Sequence, residues 1–166
     1  MRVVKILDIL NMLKKRLGIE CIERDWSWHF KRLKDYYKLP STLIIPEGCK
    51  EIGYYAFCGC EELRDVIIPG SVKEIAREAF FGCINLEKVS IPGSVERIGY
   101  ASFDGCRRLK KVNIPRSVKK LEHYAFWGCR KATIILKKPR SKFEFFGDDV
   151  FKGCKDVKYA KEKTRN

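Results

Sequence analysis

The apolar positions of this chain recur with a fixed period. The stretches Leu63–Asn85, Leu86–Arg108 and Leu109–Lys131 carry the same order of apolar and polar residues. A partial copy precedes them (Leu43–Glu62) and an eroded copy follows (Ala132–Asp156). A period in the twenties predicts a solenoid, in which each copy forms one coil and stacks on the next.

Within a copy, the pattern predicts two short strands and one compact turn. Val66 and Ile68 alternate with Ile67 at strand spacing, and a proline with a Gly-Ser pair then predicts a turn. Val72 and Ile75 lead into a second extended piece, and Ala79–Cys83 predicts a helical or 3₁₀ turn. We therefore predict an α/β repeat solenoid whose equivalent strands pair in parallel, about 4.8 Å apart.

Stacking in register predicts which charged side chains meet. One column contains Lys73, Glu96 and Lys119. The next column contains Glu74, Arg97 and Lys120. Opposite charges therefore face each other between neighbouring coils, except where Arg97 meets Lys120. Such pairs contribute roughly 0.2–1 kcal/mol each, so we expect them to help the register more than the stability.

Residues 1–40 lie outside the period, and we predict that they form a mostly helical cap for the solenoid's open end. Residues 2–17 have apolar residues at helical spacing, and Gly18 follows as a stop. Residues 19–39 fit either a second helix or a strand that alternates through Trp26, Trp28 and Phe30. A DNA-binding helix-turn-helix is the alternative, but no turn chemistry between the helices favours it. Residues 159–166 are predicted to form a basic tail.

The repeated residues resemble the BspA-type leucine-rich repeat. The pattern is L-x-x-V-x-I-P-x-S-V-x-x-I-x-x-x-A-F-x-G-C, and the second copy matches it at Leu63, Val66, Ile68, Pro69, Ser71, Val72, Ile75, Ala79, Phe80, Gly82 and Cys83. Ser102 replaces the usual Ala, and Leu121 replaces Ile. In the last copy, Lys137 and Lys138 stand where Ile and Pro belong, so we expect a distorted C-terminal cap. The resemblance covers residues 43–156, and we expect five repeats over residues 41–158.

The resemblance implies a right-handed solenoid with a parallel sheet on its concave face. It also implies a non-enzymatic recognition scaffold, since the family brings no catalytic residues. Relatives are often surface adhesins of bacteria and protists, which usually carry export or anchoring signals. This sequence shows no convincing signal peptide and no apolar stretch long enough to span a bilayer. We therefore expect a cytoplasmic location, with the cell surface as the alternative that the family implies.

The charge is concentrated in the last third of the chain. Residues 1–106 contain 16 Lys and Arg against 15 Asp and Glu, whereas residues 107–166 contain 19 against 6. This asymmetry accounts for nearly all of the formal net charge of +14. It favours an acidic partner, either a protein or a nucleic acid or other polyanion, although a lysine-rich solvated surface is an equally good reading.

The eight cysteines favour a structural role. Cys60, Cys83, Cys106 and Cys129 occupy one repeat position, and Cys154 fits the same column. Parallel Cβ vectors about 4.8 Å apart are too distant for a disulfide, which needs roughly 3.8 Å. We therefore predict a ladder of buried thiols. Cys49 replaces a core valine, and Cys21 and Cys58 lie outside the column.

No motif for catalysis or for a cofactor is found. The chain lacks a phosphate-binding glycine loop, a nucleophile elbow and a zinc-protease motif. Cys58-Gly59-Cys60 is too short and isolated for a metal site, and His29 and His123 are the only histidines. We expect no enzyme, no metal and no cofactor.

Two sets of surface residues are candidates for binding. On the expected concave sheet, the positions that vary between copies are Arg64, Asp65, Ile67, Glu87, Lys88, Ser90, Lys110, Lys111 and Asn113. A basic patch is expected from Arg107, Arg108, Lys119, Lys120, Arg130 and Lys131. The first set favours protein recognition, and the second favours polyanion binding. Aromatics lie near the basic residues in sequence, and Trp127 and Phe81 share an outward position two copies apart. The oligomeric state is open.

Overall fold

A computed structural model describes residues 41–45 and 47–160. Within them the chain forms five coils and the first strand of a sixth. The first strands of the coils are β1 (Thr42–Ile44), β3 (Asp65–Ile67), β5 (Lys88–Ser90), β7 (Lys111–Ile114), β9 (Thr133–Leu136) and β11 (Asp156–Tyr159). The second strands are β2 (Glu51–Ile52), β4 (Glu74–Ile75), β6 (Arg97–Ile98), β8 (Lys120–Leu121) and β10 (Phe145–Phe146).

All strand pairs are parallel and join equivalent positions of neighbouring coils. The second strands form one five-stranded sheet, in the order β10-β8-β6-β4-β2. The first strands form two three-stranded sheets, β1-β3-β5 and β11-β9-β7. The register follows the sequence period, since Val66 pairs with Val89 and Ile75 pairs with Ile98. The predicted parallel solenoid is thereby confirmed.

The predicted α/β character is not confirmed. The described residues contain a single helical segment, a 3₁₀ turn at Arg140–Lys142. The compact segment at Ala79–Cys83 is instead a series of turns. There, the N–H groups of Ala79, Phe81 and Cys83 bond three residues back, while those of Phe80 and Gly82 bond carbonyls of the next coil. Because alternate N–H groups leave the segment, an α-helix cannot continue through it.

The core is built from columns of identical side chains. Phe57, Phe80, Phe103 and Phe126 stack with ring centroids 5.0–5.2 Å apart and nearly parallel planes. Phe80, Phe103 and Phe126 are completely buried, as are most of the leucines and valines in the columns beside them. Because the rings stack from coil to coil, the two faces of Phe80 and of Phe103 are covered by the rings of the coils on either side, so burial depends on neighbouring coils, as in other repeat proteins.

The last copy departs from the predicted alignment. Ile114 pairs with Leu136, and Leu136 is buried, so the strand keeps its apolar ending and Lys137 follows it. The cause is one residue missing before β9. Lys111 pairs with Thr133, whereas a copy of full length would pair it with Ile134. The crossover that follows is longer, because Lys120 pairs with Phe145 and not with Phe143. The copy remains a complete coil.

The predicted N-terminal cap and Cys21 lie outside the described residues, as do residues 161–166. β11 ends at Tyr159, the first residue of the predicted basic tail. Among the residues that the structure describes, no helix has the length and apolarity needed to cross a membrane.

Candidate interaction surfaces

Each coil presents three sides. We call the side formed by the first strands the first-strand face, and the side formed by the second strands the second-strand face. The compact turns that end in Gly-Cys form the turn face, which carries Cys58, Phe81, Asp104, Trp127 and Lys152 at equivalent positions. The candidate binding residues are distributed over all three sides.

The second-strand face is covered by ion pairs between coils. Arg97 contacts Glu74 at 2.6 Å and Glu122 at 2.7 Å. Lys119 lies 2.7 Å from Glu96, which also contacts Lys73 at 3.8 Å. The predicted Lys73–Glu96–Lys119 and Glu74–Arg97 pairs are confirmed. The predicted clash between Arg97 and Lys120 is relieved, because the Arg97 guanidinium turns to a different carboxylate.

That carboxylate, Glu122, was not found by sequence reasoning. It occupies the position of Ala76 and Gly99 in earlier coils, so the repeat pattern identified it as a small-residue site. Its Oε1 accepts a hydrogen bond from Arg97, and its Oε2 accepts one from the Tyr100 N–H at 2.9 Å. Glu122 therefore joins the fourth coil to the third. The sequence feature that could have revealed this role is a charged residue at a repeat position that is otherwise uncharged.

One predicted binding column, at the margin of the first-strand face, is already paired. Glu87 contacts Lys110 and lies 3.5 Å from Arg64. The hydrogen bond from Lys110 is the main reason why the pKa of Glu87 is lowered. Glu87, Lys110 and Arg64 therefore hold neighbouring coils together. A ligand that bound to these three residues would have to break their ion pairs.

The other two outward columns of this face differ in character. Asp65, Lys88 and Lys111 form one, and β1, β9 and β11 extend it with Thr42, Thr133 and Asp156. Ile67, Ser90 and Asn113 form the other, which Ile44, Ile135 and Lys158 extend. In the described part of the chain, no acidic side chain lies within ion-pair distance of Lys88 or Lys111. Ile67 is 50% exposed, the largest exposed fraction among the large apolar residues described.

The structure places the predicted basic patch on two sides. Lys119 and Lys120 belong to the second-strand face, where Lys119 is paired with Glu96. Arg107, Arg108, Arg130 and Lys131 lie at the corner between the turn face and the first-strand face, and all four are exposed. Arg108 donates a hydrogen bond to Asn85 at 3.3 Å. These four residues, the corner group, therefore lie together at one corner, whereas the six residues of the predicted patch do not share one face.

The predicted cysteine ladder is present. The thiols of Cys83, Cys106, Cys129 and Cys154 each donate a hydrogen bond to a phenylalanine carbonyl of the preceding coil, at 3.0–3.3 Å. No cysteine of residues 41–45 and 47–160 forms a disulfide. Burial raises the pKa of the Cys83 and Cys106 thiols far above the usual range. Cys83 and Cys106 are therefore neutral donors, which suits a structural role.

The turn face carries a half-buried carboxylate. Burial, with a smaller contribution from Glu78, raises the pKa of Asp104 to about 6. Phe81 and Trp127 stand one coil away on either side, with exposed fractions of 38% and 43%. Arg107 and Arg130 follow the turns that hold Asp104 and Trp127, so aromatic, acidic and basic groups lie on or beside the turn face.

His123, the one histidine of the described region, has a structural contact. Its Nδ1 accepts a hydrogen bond from the Asp148 N–H at 2.9 Å, and its ring packs against Phe145. No group of three or more Cys, His, Asp or Glu in the described residues is arranged to hold a metal ion. Through its contacts with Asp148 and Phe145, His123 joins the fourth and fifth coils.

Comparison with known proteins identifies the repeat. The model of the BspA type leucine rich repeat region matches residues 35–158 in 6 copies. A leucine rich cell surface protein from Faecalibacterium prausnitzii has a similar structure, with 27% identity and a TM-score of 0.65. The match covers 74% of this chain but 33% of that protein, so this chain spans about a third of its length.

A leucine rich repeat protein from T. pallidum also matches, with 23% identity and a TM-score of 0.43, over 72% of this chain and 78% of that one. No curated protein matches. Since the family model covers most of the residues and the repeated positions form the core, the chain belongs to the BspA-type leucine-rich-repeat family.

Proposed function

We propose that this chain is a non-enzymatic scaffold that binds another protein through its first-strand face, which we take to be the concave sheet. The observation that carries the proposal is the state of the two central outward columns of the first-strand face, where unpaired lysines lie beside the exposed Ile67 in the described part of the chain. Arg97, Glu96 and Glu122 are already paired on the second-strand face. Lys88 and Lys111 have no carboxylate within reach in the described part of the chain.

The chemistry of the first-strand face suits recognition. Its outward columns change between coils from acidic to basic and from isoleucine to serine and asparagine. Ile67 offers an exposed apolar anchor, and the lysines beside it offer charge. Interfaces combine an apolar centre with a polar rim, and complementary charge raises the association rate. The unpaired lysines favour a partner with an acidic surface.

The test uses the full chain as bait. Proteins retained by the purified wild type are compared with those retained by Ile67→Asp/Lys88→Glu/Lys111→Glu and by the control Lys50→Glu/Lys120→Glu. A partner of the first-strand face binds saturably to the wild type and the control and is lost from the triple variant. Equal retention by all three, or no saturable partner, refutes the proposal.

Polyanion binding is the second candidate, and the corner group favours it. Arg107, Arg108, Arg130 and Lys131 are exposed and continue toward Lys111 on the first-strand face. Heparin and mixed-sequence DNA are titrated over a salt series with Arg108→Glu/Lys131→Glu and, as control, Lys119→Glu/Lys120→Glu. Loss confined to the corner variant, with affinity falling steeply as salt rises, supports this function. Equal loss in both variants reflects net charge alone.

An adhesin-like role is a third candidate, which rests on the likeness to a cell surface protein. It conflicts with the cytoplasmic location expected from the sequence. Fractionation of the native cell, with surface protease treatment of intact cells, separates the two. Protection from the protease until lysis excludes the surface role.

A further inference from the structure

A shallow basic groove lies on the turn face at its C-terminal end. Its volume is about 180 Å³, and it is bounded by Trp127 and three cations, Arg107, Arg130 and Lys152, above the backbone of Gly105 and Gly128. It lies away from the outward columns of the first-strand face, so it is independent of the proposed protein site, but it shares Arg107 and Arg130 with the corner group proposed for polyanion binding.

The floor of the groove is bare because of the turn geometry. Gly105 and Gly128 have φ values of +71° and +67°, a left-handed conformation that favours glycine. The N–H of Gly105 donates to the Trp127 carbonyl, and that of Gly128 donates to the Lys152 carbonyl. These amides are therefore occupied, and a bound anion would be held by the surrounding side chains.

The cations at the groove are not required by the repeat. Glu61 and Ile84 occupy the positions of Arg107 and Arg130 in earlier coils, and those coils form the same turn. In the part of the chain that the structure describes, neither arginine has a carboxylate within ion-pair distance. Lys152 pairs with Asp149 at 3.0 Å but remains 64% exposed. Two unpaired guanidinium groups and an ammonium therefore surround a small volume.

Trp127 is likewise not required by the repeat. Cys58, Phe81, Asp104 and Lys152 occupy the same position in other coils. Its side chain is 43% exposed, although a tryptophan usually gains most when it is buried. It supplies a flat apolar surface beside the cations, and guanidinium groups are suited to binding phosphate and sulfate oxygens.

We infer that this groove binds a phosphate or sulfate group carried on a ring, with the ring stacked on Trp127 and the oxyanion held by Arg107 and Arg130. The volume is below the roughly 300–1,000 Å³ typical of ligand pockets. The groove therefore accommodates one charged headgroup and one ring face, and the rest of the ligand remains in solvent.

The surroundings of the groove argue against a long single-stranded nucleic acid. Such ligands need successive stacking platforms along a basic track. The coil before Trp127 presents Asp104 at the equivalent position, and the coil after it presents Lys152. The Asp104 carboxylate lies near the groove floor, since a Cβ added to Gly128 would be 3.8 Å from its Oδ1. A phosphate chain that ran toward the third coil would meet this charge.

The test measures binding of small probes to the full chain by calorimetry at about 0.15 M salt, where charges more than about 8 Å apart are largely screened. The probes are N-acetylglucosamine 6-sulfate and adenosine 5′-monophosphate, with N-acetylglucosamine, adenosine and sodium sulfate as partial ligands. We expect saturable binding of at least one ring-linked oxyanion, and the tighter of the two identifies the source of the ring. Binding of the isolated ring or of free sulfate should be weaker by about tenfold or more, since each makes half of the contacts.

Three variants assign the site. Arg107→Gln/Arg130→Gln should weaken binding by about tenfold or more, and Trp127→Leu by about fivefold. The control Lys137→Gln/Lys142→Gln removes the same charge at another corner and should change affinity by less than about twofold. Lys88→Glu/Lys111→Glu should leave this binding intact, which separates it from the protein site.

The inference is overturned if no ring-linked oxyanion binds saturably. It is also overturned if both double glutamine variants lose the same affinity, because net charge then explains the binding. Unchanged binding by Trp127→Leu removes the stacking role. The melting temperature of each variant, compared with the wild type, shows whether a loss reflects the groove or the fold.

Discussion

The two strand faces are both built from parallel strands, but they differ in how their outward charges are paired. On the second-strand face, Arg97 bridges Glu74 and Glu122, so three successive coils are joined by one guanidinium. On the first-strand face, Lys88 and Lys111 point outward from neighbouring coils without a carboxylate in reach in the described part of the chain. The charges around Arg97 are thus used within the molecule, and Lys88 and Lys111 are left for solvent or a partner. At the margin of the first-strand face, Glu87 is paired with Lys110 and Arg64.

The difference shows how a repeat protein separates stability from recognition. A column that alternates in sign is self-complementary and strengthens the coil register. Two like charges at neighbouring positions, such as Lys88 and Lys111, add nothing to the register and are tolerated because the buried phenylalanine and valine columns already fix it. Four predictions test this comparison.

The largest loss of stability is expected for Gly99→Ala. Gly99 lies directly after the second strand β6. An added Cβ would lie 2.7 Å from the Ala76 carbonyl carbon, and this backbone atom cannot move aside without shifting the coil. We expect the free energy of unfolding to fall by about 2–4 kcal/mol. The control Gly93→Ala adds its Cβ in open space and should be neutral or slightly stabilising. Urea denaturation of both variants measures this, and equal effects would show that the close approach is not limiting.

Removal of the bridging guanidinium comes next. Arg97→Gln leaves Glu74 and Glu122 half-buried without a cation, and we expect a loss of about 1–2 kcal/mol in the free energy of unfolding. The loss should shrink as salt is added, because part of it is carboxylate repulsion. Thermal melts at low and high salt test both statements. If Arg97→Gln lowered the free energy of unfolding by less than Lys88→Gln does, the ion pairs of the second-strand face would contribute nothing to stability.

The turn face provides a pH-dependent case. The pKa of Asp104 is raised from 3.8 to about 6 in the folded chain, so the folded state binds a proton more tightly than the unfolded state. This group therefore makes stability fall as pH rises from about 4 to about 6, with a constant penalty above that range. Since Asp104 is half-exposed, solvent screening limits the penalty to less than about 1 kcal/mol.

Asp104→Asn should remove that pH dependence and stabilise the chain slightly at neutral pH. Melting curves of the wild type and the variant from pH 4 to pH 8 provide the measurement, with Asp65→Asn on the first-strand face as the control. Parallel curves for wild type and Asp104→Asn would place the titrating group elsewhere.

The smallest effect is expected on the first-strand face itself. Lys88→Gln/Lys111→Gln removes two exposed cations that support no ion pair in the described region, so the free energy of unfolding should change by less than about 0.5 kcal/mol. If the proposed function holds, the same variant weakens partner binding. A stability loss as large as that of Arg97→Gln would erase the distinction between the faces.

The sequence predicted the fold well because residues that lie one period apart in the chain become neighbours when the coils stack. Phe80 and Phe103 lie one period apart, so stacking in register makes them neighbours. The same arithmetic predicted the Lys73–Glu96 and Glu74–Arg97 pairs and the cysteine ladder. It failed at Leu136, because one residue is missing before β9 and sequence matching therefore assigned the strand ending to Lys137.

The candidate sites were less predictable. Sequence reasoning grouped Lys119 and Lys120 with Arg107 and Arg130, since all four lie close together along the chain, but the coil turns them to different faces. It also missed Glu122, whose role depends on the rotamer of Arg97. The groove at Trp127 combines residues from three successive coils, so no single copy displays it.

By itself, the sequence determined the family, the period, the parallel pairing and the identity of the buried columns. A buried column depends only on which residues share a repeat position, and a linear period contains that information. The tertiary structure decided which charges are paired, which cations stay unpartnered, and where glycine leaves a groove. Those outcomes depend on side-chain direction and on the angle between the sides of each coil, which residue spacing does not encode.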